Sequence, residues 1–89
     1  MTNFLKIRFT KHAREKFTIL KRHKFSVSRQ AIFKTIRRPD YIDYSRFPLK
    51  IAQKPFDKTH VLRVVYKEEN GEIVVITFYP GRKSQYEEQ

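Results

Sequence analysis

The chain has 89 residues and carries 20 Lys+Arg against 9 Asp+Glu, a formal charge of +11 with a sequence pI near 10.2. It has no cysteine, which excludes disulfides, thiolate nucleophiles and cysteine-bound zinc, and its length allows one core, so a single domain over residues 1–89 is expected. An excess of cations this large calls for an acidic partner: first nucleic acid, whose phosphates release counterions when neutralised, then an acidic protein.

Residues 4–9 alternate as a short strand, with Lys6 and Arg8 on one side and Leu5, Ile7 and Phe9 on the other. Thr10 is placed to cap a helix over residues 11–23, in which Ala13, Phe17 and Leu20 form the apolar stripe. The remaining surface of that helix carries Lys11, Arg14, Lys16, Lys21 and Arg22, a basic face suited to RNA. His12 stands on the shoulder of the stripe, where a lone histidine is more often structural or solvated than catalytic. His12 and His23 share a helix face but lie ~16 Å apart at 1.5 Å per residue, too far to hold one ion. His60 is isolated at a strand start, and neither a His-Glu-x-x-His motif nor an acidic metal loop occurs. No metal and no cofactor are expected.

A second helix is predicted over residues 28–38, with Ser28 as N-cap and Val27 packing on Ile32 as a hydrophobic staple. Ala31, Ile32 and Ile36 face inward. Arg37 and Arg38 complement the helix dipole in the last turn, and Pro39 stops the helix. Residues 41–44 and 49–54 read as strands around a turn at 45–48, and residues 57–59 form the next turn.

From residue 60 the chain reads as a β-hairpin, because residues 61–66 and 73–79 are rich in β-branched and aromatic types and Asn70-Gly71 tolerates positive φ. A two-residue loop mixes polar and apolar side chains on both faces. A three-residue loop over 69–71 gathers Leu62, Val64, Tyr66, Val74, Ile76 and Phe78 on one apolar face, and this register is expected. The opposite face then carries Arg63, Lys67, Thr77 and Tyr79 beside Val61, Val65 and Val75, with Arg63 opposite Thr77. Arg82, Lys83 and Tyr86 follow in the basic tail and are expected to close one end of that surface. The elements give a β-α-α-β-β-β-β order of class α+β, an antiparallel sheet with both helices on one face.

Pro39-Asp40 has no downstream Asp/Glu-x-Lys, so a metal-dependent nuclease of the restriction type is rejected. Two glycines cannot build a phosphate-cradling loop. Metal-independent RNA cleavage needs less: a base for the 2′-hydroxyl proton, cations around the phosphorane, and an acid for the leaving 5′-oxygen. Arg63, Arg82 and Lys67 offer the cations, and His12 or Tyr79 the proton transfer. A tyrosine base requires a cationic neighbour.

The stretch HVLRVVYKEENGEIVVITFYPGRKSQYE, together with FTKHAREKF and SVSRQAIFKTIRRPD upstream, resembles small prokaryotic domains of the RelE/barnase-like toxin superfamily over nearly the whole chain. The resemblance rests on His-Ala-x-x-Lys in the first helix, Arg-Pro-Asp after the second, and Thr-Phe-Tyr-Pro at the end of the last strand. It implies a RelE/barnase-like fold and a toxin-type endoribonuclease, an mRNA interferase of a toxin–antitoxin system acting on free or ribosome-bound RNA and neutralised by an acidic antitoxin protein. The matching positions are Tyr79, Arg82 and Tyr86, and the resemblance strengthens His12. The resulting catalytic set is His12, Arg63, Thr77, Tyr79 and Arg82, with Lys11, Arg14, Lys67, Lys83 and Tyr86 binding RNA. The alternative is a non-catalytic basic module that holds RNA or an acidic protein, and convergence of the catalytic set would discriminate the two. A third reading treats the domain as a structural accessory with incidental charge. No apolar run is long enough for a membrane span, and with no signal-peptide core near Met1 the expected location is cytoplasmic.

Overall fold

The computed structural model describes residues 6–86. Its elements are β1 (Lys6–Phe9), α1 (Lys11–Arg22), α2 (Arg29–Arg37), β2 (Tyr41–Asp43), β3 (Lys50–Pro55), β4 (His60–Glu69), β5 (Glu72–Arg82) and α3 (Lys83–Tyr86). Positions 4 and 5 of the expected first strand lie outside the described residues. The class is α+β, as read from the sequence.

Both long helices start where the capping side chains place them. Thr10 Oγ1 accepts from the Ala13 N–H at 3.1 Å, and Ser28 Oγ accepts from the Ala31 N–H at 3.0 Å. At the end of α1 the Phe25 N–H bonds to the Leu20 carbonyl and the Lys24 N–H to that of Lys21, with Lys24 in the left-handed region at φ 68°. This stop reverses the chain and delivers Phe25 against Phe56 and His60.

The sheet is five-stranded, in the order β1-β5-β4-β3-β2. It is mixed rather than wholly antiparallel, because β1 runs parallel to β5, pairing Ile7 with Ile73 and Phe9 with Val75. Alternation in a sequence shows which side chains face inward. It carries no information about strand direction, and β1 fills the free edge of β5 while still delivering Ile7 and Phe9 to the core. On this edge Arg8 bridges Glu69 and Glu72 at 3.1 and 3.2 Å.

The hairpin register differs from the expected one in a specific way. The loop is the two-residue Asn70-Gly71 turn, both residues at positive φ (53° and 78°), and Glu69 pairs with Glu72. A bulge then intervenes: Tyr66 pairs with Val75 but Val65 pairs with Thr77, so Ile76 is the extra residue. The two-residue turn alone would leave both faces mixed, and the bulge shifts the pairing by one residue from Val65 onward, which returns Arg63, Thr77 and Tyr79 to one face. Ile73, Val75 and Phe78 therefore point to the core with Leu62, Val64 and Tyr66, whereas Val74 is buried on the opposite face. Arg63 faces Tyr79, not Thr77. Thr10 meets this bulge directly, its N–H donating to the Val75 carbonyl and its hydroxyl to the Ile76 carbonyl, both at 3.1 Å.

Ala13 and Leu20 of α1 and Ile32 and Ile36 of α2 join the core-facing side chains of β3, β4 and β5, so these two helices cover one face of the sheet. Phe17 lies 4.7 Å from Phe78 between ring centroids. The short α3 is an additional element, and its Tyr86 lies over the other face. No helix among the described residues is long and apolar enough to cross a membrane.

Candidate nucleic-acid interface

The face of the sheet turned away from α1 and α2 is centred on Arg63, which is only 4% exposed. A buried guanidinium must find acceptors, and three strands and α3 supply its partners. Nε donates to the Tyr79 hydroxyl of β5 at 3.0 Å, Nη1 to Gln53 Oε1 of β3, and Nη2 to Asp43 Oδ2 of β2 at 2.9 Å. The Tyr86 ring covers the group, its centroid 4.2 Å from the Arg63 Cζ. Gln53 Nε2 in turn donates to the Tyr86 carbonyl at 3.4 Å. Gly81 makes this roof possible, since a Cβ there would collide with the Tyr86 ring.

Burial works against the Arg63 charge, but the hydrogen bonds to Tyr79 and Asp43 more than offset it, and its pKa lies above the ordinary arginine value. Asp43 is held down to about 2, first by the Ser45 backbone N–H at 2.8 Å, then by the Ser45 side chain and by Arg63. Both partners stay ionised at neutral pH. A cavity of about 630 Å³ opens over them, lined by Asp40, Tyr41, Asp43, Gln53, Arg63, Gln85 and Tyr86. At its rim Tyr41 is 54% exposed, and beyond it Tyr44 and Phe47 are 55% and 71% exposed.

Of the expected catalytic set, Arg63 and Tyr79 come together, and Tyr86 joins them. Thr77 lies on the same face, its hydroxyl buried and without a hydrogen-bond partner among the described residues. Arg82 does not join. It pairs with His60 at the end of the ladder, and strand alternation turns it to the face of Phe78, away from Arg63. His12 is exposed on α1, in the layer on the opposite side of the sheet. The expected convergence of five residues is thus a pair, with the other members distributed over two faces.

Among the expected RNA contacts, Lys11 and Arg14 are exposed on α1, although Arg14 also donates to the Phe9 carbonyl at 2.9 Å. Lys67 approaches Glu69 at 3.3 Å, and Lys83 opens α3 beside Arg82. The sequence reading missed Asp43 and Gln53, whose approach to Arg63 depends on pairing β2, β3 and β4 correctly, and it missed Tyr41. It also set His60 aside, although Asp57 three residues earlier was a visible signal.

No protein-family model matches this chain, and no curated protein and no solved structure matches it either.

Proposed function

We propose that this chain is a RelE/barnase-like domain that cleaves RNA without a metal ion, a toxin-type endoribonuclease. The Arg63–Tyr79 pair carries the reading. The Tyr79 hydroxyl accepts from Arg63 Nε, so its own proton is left to donate to another oxygen, and a permanent cation stands beside it. In phosphodiester cleavage the 2′-oxygen attacks phosphorus and the 5′-oxygen leaves. Tyr79 supplies the leaving oxygen's proton and Arg63 offsets charge on the phosphorane. Asp40 and Asp43 are the carboxylates on the cavity wall able to accept the 2′-hydroxyl proton, although Asp43, held down to about 2, is a weak base. Exposed Tyr41 at the rim suits a stacked base. The charge of +11 favours RNA as substrate and an acidic antitoxin as partner.

A second reading, RNA binding without cleavage, is favoured by one observation: three Arg63 donors are already committed within the protein, one of them to a carboxylate. The test is cleavage of free RNA and of mRNA on translating ribosomes by the purified protein in EDTA. Wild type should cut, and Tyr79→Phe, folded, should be slower by roughly 10² or more. Salt-sensitive RNA binding with no cleavage of either substrate would replace the enzyme by the binding module.

A further inference from the structure

Away from its turn, the β4–β5 ladder ends in a second cavity of about 370 Å³, lined by Lys58, Thr59, His60, Arg82, Lys83 and Ser84. His60 and Arg82 are cross-strand partners there, and the Lys83 N–H donates to the Thr59 carbonyl at 2.9 Å, tying the 57–59 turn to the start of α3. Asp57 organises the turn. Its Oδ1 accepts from the Thr59 and His60 N–H groups at 2.8 and 2.7 Å, and from His60 Nδ1 at 3.0 Å. The His60 ring also stands edge-on to Phe25, with centroids 4.9 Å apart.

The only carboxylate in this turn is therefore already used to hold the imidazole, and Nε2 is the ring nitrogen left for a ligand. Lys58, Arg82 and Lys83 form no ion pair with a carboxylate among the described residues. Three cationic side chains, an oriented imidazole and the Ser84 hydroxyl thus border one concavity, and the adjacent Asp57 is engaged by its own turn and the imidazole. Guanidinium and ammonium groups in this arrangement match a tetrahedral oxyanion, the first by a planar fork of donors and the second as point charges.

We infer that this cavity binds a phosphate group, with Arg82 as the directional ligand, Lys58 and Lys83 as point charges, and the His60 ring as one wall of the site. The net charge of the chain favours a phosphate in a single-stranded RNA backbone. The site is separate from the cleavage reading. Arg63 lies three residues along β4 on the other face, ~10 Å away at roughly 3.3 Å per residue.

The test is 1H–15N correlation spectroscopy of the full chain in EDTA, titrated with inorganic phosphate and then with a short single-stranded RNA. Saturable shifts are expected at Thr59, His60, Arg82, Lys83 and Ser84, and the phosphate affinity of the Arg82→Ala/Lys83→Ala variant should fall by roughly tenfold or more. The variant's own spectrum verifies its fold, and His60→Gln, which keeps a hydrogen-bonding group, should weaken binding less. RNA that displaces phosphate assigns the site to a backbone phosphate. Phosphate binding that RNA leaves untouched assigns it to free phosphate, and both results support the oxyanion site. Shifts spread equally over Lys11 and Arg14 of α1, or unchanged affinity in the double variant, would overturn it. Absence of RNA cleavage in the same samples bears on Arg63 and Tyr79 alone.

Discussion

Arg63 and Arg82 both stand on the β4–β5 ladder, but they live under opposite conditions. Arg63 is 4% exposed, bonded to Tyr79, Gln53 and Asp43, and roofed by Tyr86. Arg82 is exposed beside Lys58 and Lys83 and pairs with no carboxylate among the described residues. A charge taken out of water needs compensation from the protein itself, whereas one left at the surface keeps its field for a partner. The first arginine organises four elements around one point. The second contributes little to the fold and retains its capacity to attract an anion.

The largest effect that sharpens this contrast is expected from Arg63→Met, which leaves the Asp43 carboxylate and the Gln53 side chain without their shared donor. A loss of about 3 kcal/mol in urea unfolding follows for a broken, largely buried pair. In a domain of this size that lowers the melting temperature by roughly 12 °C or more. If Arg63→Met were no more damaging than Arg82→Ala, the contrast would collapse. Gly81→Ala should cost about 1 to 2 kcal/mol, since the new methyl group forces the Tyr86 ring off Arg63, and tyrosine fluorescence should report a more solvated ring.

Acid titration probes the same centre. The Asp43 carboxyl is depressed from 3.8 to about 2, so the stability it contributes is present above pH 4 and is lost as pH falls from about 4 towards 2. Asp43→Asn should flatten the stability profile over that window, and urea midpoints at pH 5, 4, 3 and 2 would measure it. The smallest stability change is expected from Arg82→Ala/Lys83→Ala, about 0.5 kcal/mol or less at each position, since Arg82 is exposed and Lys83 only half-buried. In that variant RNA affinity, followed by fluorescence anisotropy against salt, should nevertheless fall and its salt dependence flatten.

Much of the scaffold was legible in the chain because it is written locally. Thr10 and Ser28 start helices wherever their hydroxyls meet an open backbone N–H, and Asn70-Gly71 turns a hairpin on its own. Non-local relations were not legible. The parallel pairing of β1 with β5 leaves no trace in alternation, and the Ile76 bulge appears only once β5 must serve the core at Ile73, Val75 and Phe78 together. The two-residue turn and the bulge each shift the pairing by one residue, so Arg63 faces Tyr79 where Thr77 was expected. The partners Asp43 and Gln53 arrive from β2 and β3, so the cation was visible in the sequence while its compensation was not. His60 was judged as a metal ligand and set aside, although Asp57 and the 57–59 turn position it for another use.

The most direct test measures RNA cleavage and RNA binding on the same preparations of wild type, Tyr79→Phe and Arg82→Ala/Lys83→Ala, in EDTA, with unfolding curves verifying each fold. Metal-independent cleavage by the wild type is predicted, lost in Tyr79→Phe while binding persists, and weakened in the double variant in step with its affinity. Absence of cleavage by the wild type, or cleavage by Tyr79→Phe at the wild-type rate, would contradict the assignment of RNA chemistry to the Arg63–Tyr79 pair.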